Sequence, residues 1–199
     1  MSEDFIKKKI GEAENRVQEL LKKGDLRKIT EKESYQFSQF FENKSLARLE
    51  TAKIIFSASQ NSQSYCDFSE TVSAAYYAMY YIVHAFLAKE YQRKVREGLR
   101  GVHAITLHLI VYYLIKTEKL AKHLYEEYCT ALEAAAEIQA FQKEEYREKA
   151  FSYARNYQQQ REKREQFTYF VSKNAEQSHA KQALEIAEEF ISTIRELMI

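Results

Sequence analysis

The sequence predicts an all-α protein, an up-and-down bundle of about five to six helices. Three observations support this fold class. There is no proline and there are only four glycines in 199 residues, and these are the residues that most often interrupt helices. Apolar residues recur at intervals of three and four along most of the chain. The stretch 68–88 is apolar on every side, as in a helix covered by several neighbours.

The N-terminal part is predicted to contain two helices and a short aromatic segment. The first helix has a regular apolar stripe and is expected to end near Gly24. Thr30 and Glu33 form a capping-box pattern that opens the aromatic segment 35–41. A helix over 45–59 and a polar loop over 60–65 follow. We therefore expect residues 1–43 to be a helical extension and residues 44–199 to form the bundle.

The helix predicted over 68–88 carries three different stripes at a helical period. The first is made of small side chains: Thr71, Ala74, Ala75, Ala78 and Ala85. The second is large and suited to a core: Val72, Tyr76, Met79, Tyr80, Val83 and Leu87. The third has polar tips: Ser73, Tyr77, Tyr81 and His84. We expect the small stripe to let another helix approach closely, and Tyr77, Tyr81 and His84 to line a cleft or a dimer seam; core tyrosines bonded to backbone carbonyls are an equally good interpretation.

The C-terminal half begins with a basic connection over 91–101. It leads into a second buried helix over 102–116. A very long helical stretch is predicted over 120–164. Its part over 137–163 is expected to project from the bundle or to pack against a partner, because its apolar stripe is thin. The last helix is predicted over 175–197, with a clean apolar stripe.

Composition excludes several classes of protein. The net charge of +1 gives no overall field that would attract nucleic acid or a membrane, so any anion site must be local. No stretch is long enough to span a membrane, and the first residues do not resemble a secretion signal, which together predict a cytoplasmic protein. The two cysteines lack metal-site spacing, and Glu176-x-x-His179 is only half of a di-iron motif, so neither a metal nor another cofactor is expected.

The order of four motifs resembles that of HEPN-domain proteins over roughly residues 45–199. The first motif is Tyr76-Tyr77-Ala78-Met79-Tyr80, and the second is the helix opened by His103 and ending at 113–120. The third is Arg164 followed five residues later by Tyr169. The fourth is the closing helix over 183–190.

This resemblance implies a helical homodimer of the toxin–antitoxin type, with a nucleotidyltransferase as partner. Many relatives are ribonucleases in which an arginine steadies the phosphate and a histidine moves a proton at the ribose 2′-hydroxyl. Arg164 and Tyr169 occupy these catalytic positions here, in the branch with tyrosine in place of histidine. A phenol with a pKa of about 10 is a poor base at neutral pH. Thr168 and Ala74 are further departures from the family pattern, and efficient ribonuclease activity is not expected.

The basic connection offers a second candidate site. Arg93, Arg96 and Arg100 are opposed only by Glu97 and precede a helix N-terminus, where anions are favoured. With His103 they form a candidate site for phosphate or nucleic acid. A solvated basic loop and a structural role for His103 are the alternatives.

Three functions are consistent with the sequence. The leading one is a HEPN-type module that binds RNA or a nucleotide. The second is a non-catalytic protein-interaction module. The third is a metal-independent endoribonuclease in which His103 or another histidine replaces the missing one.

Overall fold

The structure, a computed structural model, is an all-α helical bundle with one very small sheet. It describes residues 3–61, 67–121, 123–135 and 161–198, with the backbone alone for 3–6 and 161–176. The helices are α1 (Glu3–Lys23), α2 (Glu31–Asn61), α3 (Phe68–Tyr91), α4 (Val102–Ile110), α5 (residues 123–135) and α6 (Arg161–Glu196). The strands are β1 (Leu26–Lys28) and β2 (Arg93–Val95). The predicted fold class is confirmed.

The first two helices begin and end where local sequence signals place them. α1 ends at Lys23, and Gly24 adopts a positive φ of 71° that suits glycine. The capping box is present: the Thr30 amide donates to Glu33 Oε2 at 2.9 Å, and the Glu33 amide donates to Thr30 Oγ1 at 3.3 Å. The aromatic segment and the helix predicted over 45–59 are instead one continuous helix, α2. The expected domain boundary at 43/44 therefore falls inside a helix.

α3 is the centre of the bundle and packs most extensively on α2. The side of α2 that faces it carries a line of small buried residues spaced by seven: Ser38, Ser45, Ala52 and Ser59. Ser45 Oγ donates to the Ala78 carbonyl at 2.7 Å, and Ser34 Oγ donates to the Ala88 carbonyl at 2.7 Å. These bonds require the two backbones to lie close together. We call this contact the seam.

The seam agrees with the stripe of small residues predicted on α3. All five of its members are buried: Thr71, Ala74, Ala75, Ala78 and Ala85. Of the large stripe, only Tyr80 is not fully buried. The small stripe and the large stripe therefore have the environments expected from their side-chain sizes.

The small sheet was not predicted. β1 and β2 are antiparallel, with Leu26 opposite Val95 and Lys28 opposite Arg93. The pairing continues beyond the strands, because the Arg96 amide donates to the Asp25 carbonyl at 2.8 Å. The basic connection is thus partly a strand rather than a loop. It is held against the segment that follows α1. α1 itself belongs to the bundle, because its residues Val17 and Leu20 are part of the hydrophobic core.

The C-terminal half differs from the prediction in its boundaries. α4 continues into a π-helical turn, Val111–Ile115, so the helix predicted over 102–116 is present with a change of winding. α6 begins at Arg161 rather than near 175, and its buried stripe includes Ala187, Phe190 and Ile194. Most of the segment 137–163, which was expected to project, lies outside the described residues. None of the described helices combines the length and the apolar character needed to cross a membrane.

Candidate functional site: an aromatic and basic groove

A groove of about 620 Å³ opens beside α2, α3 and the connection that leads into α4. We call it the groove. α2 provides the wall with most of the aromatic rings: Gln36, Phe37, Phe40, Phe41 and Lys44. α3 provides Tyr80 and His84, and the connection provides 94–99 and Val102. Aromatic rings and cations therefore share one concave surface.

Three cations line the groove, and the carboxylate among its lining residues is that of Glu97. Lys94 is 9% exposed, lies 3.7 Å from the centre of the Phe37 ring and forms a 2.6 Å ion pair with Glu97. Its charge is therefore neutralised within the wall. Lys44 is exposed, and its contacts within the described residues are with the rings of Phe40 and Tyr81, at 4.7 and 5.2 Å. Its charge remains available to an anion.

Arg96 is the third cation. Its guanidinium forms a 3.0 Å ion pair with Asp25, but the side chain is 62% exposed. The Asp25 side chain is only 12% exposed, so this carboxylate relies on the pair for compensation of its charge. The guanidinium also has more donors than one carboxylate oxygen can accept. Arg96 can therefore bind a second anion with its exposed edge while it keeps its pair with Asp25.

The aromatic rings form a continuous cluster behind the cations. Phe41 lies 6.2 Å from Tyr81 with nearly parallel rings, and 5.6 Å from His84. The ring of Phe40 packs against the edge of Phe41 and is 49% exposed. An exposed phenylalanine next to a lysine that forms no ion pair with any described side chain is a surface on which a planar ligand can stack. The rings beneath it are held in place by the core.

His84 is buried in the wall of the groove. Thr106 Oγ1 donates to the Val102 carbonyl at 2.9 Å, so at 3.2 Å it accepts from His84 Nε2. Burial, with a smaller contribution from nearby His103, lowers the pKa of His84 to about 4. The imidazole is therefore neutral at physiological pH and holds α3 against α4.

His103 lies outside the groove, near the start of α4 and against the part of α3 that precedes Tyr81. Its Nδ1 is 2.7 Å from the Tyr76 hydroxyl. Burial raises the pKa of Tyr76, so the phenol keeps its proton at neutral pH. Burial also lowers the pKa of His103. Its ring packs on Tyr77 and Tyr80 with centroids 5.7 and 5.0 Å apart. The contacts of His103 are those of a structural histidine.

The structure brings together some of the predicted site residues and separates others. His84 and Arg96 line the groove, and Tyr81 packs against its wall. In the described part of the chain, Arg93 and Arg100 are not among the lining residues. Arg93 precedes Lys94 on the strand and lies near Tyr113, where its charge partly offsets the rise in the tyrosine pKa caused by burial. Arg100 is exposed in the turn before α4.

The predicted catalytic pair cannot be placed beside the groove. Arg164 and Tyr169 belong to the first turns of α6, but their side chains lie outside the described residues. Within those residues there is also no group of three His, Cys, Asp or Glu side chains that could hold a metal ion.

Phe40 and Lys44 were missed as site residues. The signal was present in the sequence, because Phe40, Lys44 and Arg48 recur at intervals of four, and so do Tyr77 and Tyr81. Two such rows on adjacent helices can face each other.

The fold and the groove together place the protein in a structural class: an all-α bundle with a surface groove lined by aromatic rings and cations. No family model matches the sequence, no curated protein matches it, and no solved structure matches its fold.

Proposed function

We propose that this protein is a HEPN-type module that binds RNA or a nucleotide, and that the groove is the binding site. The observation that carries the proposal is the place of Lys44 and Arg96 on the same concave surface as the exposed ring of Phe40. A phosphate is attracted by the two cations, and a base stacks on the ring. This combination is the usual one in proteins that bind unpaired nucleotides.

The groove accounts for binding without a strong overall charge. The protein as a whole carries only +1, whereas the groove presents two exposed cations: Lys44, and Arg96 with its remaining donors beside the pair with Asp25. The electrostatic attraction is therefore local, and it is expected to weaken as salt is added.

The HEPN assignment, the homodimer and the nucleotidyltransferase partner rest on the sequence resemblance alone. Sedimentation of the purified chain tests the dimer. Co-purification with a co-expressed nucleotidyltransferase encoded by a neighbouring gene tests the partner. The cytoplasmic location stays a prediction.

The ribonuclease alternative requires a histidine that exchanges a proton near neutral pH. The pKa values of His84 and His103 are both lowered, and each has a protein group as hydrogen-bond partner. These features favour binding over catalysis. Incubation of the protein with RNA in a chelator is expected to leave the RNA intact. Fragments ending in 2′,3′-cyclic phosphate that disappear in His103→Ala or Arg164→Ala would support the ribonuclease instead.

The experiment that tests binding uses a fluorescein-labelled oligouridylate and uridine monophosphate. Arg96→Gln and Lys44→Gln are each expected to weaken oligouridylate binding about tenfold, the order of one lost charged contact. Lys53→Gln is the matched control, because Lys53 lies on α2 but pairs with Glu188 of α6, away from the groove. Absence of binding by the wild type, or equal losses in all three variants, would refute the proposal and leave the protein-interaction module.

A further inference from the structure

A second pair of cation and ring lies next to the groove on the same two helices. Arg48 follows Lys44 by one turn of α2, and Tyr77 precedes Tyr81 by one turn of α3. The Arg48 guanidinium lies 6.0 Å from the centre of the Tyr77 ring, as Lys44 lies 5.2 Å from that of Tyr81. We call these four residues the track.

The track is accessible and regular. Arg48 and Lys44 are exposed, and the two tyrosines are half-buried. The tyrosine rings lie 6.3 Å apart. Because the tyrosines are anchored in α3, the spacing of the two pairs is set by one helical turn and does not depend on a loop.

The chemistry of the second pair matches that of the first. A guanidinium is planar, so it can lie on a tyrosine ring and offer its other face to a base, while its edge donates to a phosphate. Within the described residues, no carboxylate forms a salt bridge with Arg48. Arg48 acts electrostatically on Glu70, whose pKa is raised, mainly by burial and less strongly by Asp67, while the charge of Arg48 partly offsets the rise.

The acidic pair Asp67 and Glu70 sets the far end of the track. Both residues lie at the start of α3, beyond Tyr77 as seen from the groove. A further phosphate would meet a carboxylate there instead of a cation. The surface that attracts phosphate therefore extends from the groove to Arg48 and ends before Glu70.

We propose that the groove and the track form one extended site for single-stranded RNA, in which the groove holds one nucleotide and Arg48 with Tyr77 holds the next. The proposal rests on the function proposed above and specifies its ligand: a strand rather than a free nucleotide. An acidic peptide would satisfy the cations but would leave the rings of Tyr77 and Phe40 without planar partners.

The test compares one variant against two ligands. The full-length Arg48→Gln protein is titrated with labelled oligouridylate and, separately, with uridine monophosphate. It is expected to lose about tenfold in affinity for the oligouridylate, the order of one stacked base or charged contact. Its affinity for uridine monophosphate is expected to be unchanged. Lys53→Gln is the control for charge on α2.

Salt dependence provides a second readout. The logarithm of the oligouridylate association constant falls linearly with the logarithm of salt concentration, with a slope of about 0.7 for each phosphate contact on a single strand. Arg48→Gln should reduce that slope by about 0.7. Arg48→Glu should reduce affinity further, because it adds a charge of the same sign as the phosphate.

The outcomes separate the two proposals. Equal effects of Arg48→Gln on both ligands, or wild-type oligouridylate binding no tighter than that of the monophosphate, would overturn the extended site and leave the groove intact. If the wild-type protein binds neither oligouridylate nor uridine monophosphate, the groove is not a nucleotide site and the proposed function is wrong. Tighter binding of an acidic peptide than of oligouridylate, lost in Arg48→Gln, would also overturn the extended site in favour of a protein partner.

Discussion

The two sides of the α2–α3 pair differ in what they do. On the seam side, Ser34 and Ser45 bond directly to backbone carbonyls of α3. On the groove side, the same two helices present Phe40, Lys44 and Tyr81, which hold each other through ring and cation contacts. The seam leaves no room for a ligand, whereas the groove remains partly exposed to water.

This difference teaches that size, not polarity, separates the two sides. Serine occurs on the seam because it is small and because its hydroxyl finds a carbonyl nearby. Lysine and phenylalanine occur on the groove side because their length fills the space beyond the point of closest approach. Substitutions on the seam should therefore change stability, and substitutions in the groove should change binding.

The largest expected effect comes from filling the seam. Ala78→Leu adds three carbons where Ala78 is fully buried beside Ser45. Overpacking of this kind costs about 3 kcal/mol in the free energy of unfolding. Urea denaturation followed by circular dichroism measures it. The same exchange at exposed Ala47 on α2 is the control and should change stability by less than about 0.5 kcal/mol. A loss below about 1 kcal/mol at Ala78 would mean that the seam can open.

The next effect is a dependence of stability on pH through His84, which is buried in the wall of the groove. Its pKa is about 4 in the folded protein and about 6.5 in an unfolded chain. Between these values the unfolded chain binds more protons, so stability falls as the pH falls. The expected loss from pH 7 to pH 5 is about 2 kcal/mol.

His84→Gln isolates this contribution. The pKa values of His103 and His108 are also lowered by burial, and these residues add to the loss in the same direction. The variant should retain their contribution and lose that of His84. Denaturation at several pH values measures the difference, and parallel curves for the two proteins would contradict the assignment.

Phe40→Ala is expected to have the smallest effect on stability. It should nevertheless weaken binding clearly. Phe40 is 49% exposed, so truncation should cost no more than about 1 kcal/mol of stability. Loss of the stacking surface should weaken oligouridylate binding about tenfold. Ile54→Ala is the matched control, since Ile54 is an exposed apolar residue of α2 outside the groove. Equal affinities of the two variants would contradict stacking on Phe40.

Local patterns predicted the parts of the fold that depend on local physics. The capping box of Thr30 and Glu33, the end of α1 at Gly24 and the small stripe containing Ala78 were all readable, because each depends on neighbours within about one or two turns. The sheet was not readable. Its three-residue strands exist because residues 26–28 meet residues 93–95, which are distant in the sequence.

The candidate site was predicted only in part for the same reason. Arg96 and His84 were singled out from their own segments. The position of Lys44 over Tyr81 depends on how α2 packs on α3, and α2 was expected to be interrupted near residue 43. Because the helix continues through residue 43, Phe40, Lys44 and Arg48 lie on one face of α2.

The spacing of seven residues along the seam makes α2 sensitive to insertions and deletions between Ser38 and Ser59. An insertion of a single residue between Ser38 and Ser59 would rotate everything after it by about 100° around the helix axis. An insertion before Ser45 would bring Lys44 into its place in the seam, and one between Ser45 and Ala52 would bring in the larger Thr51 instead of Ala52. An insertion placed between Phe40 and Lys44 would separate the ring from the cation in the same step. Substitutions can be absorbed one at a time along α2, but insertions and deletions would damage the core and the groove together.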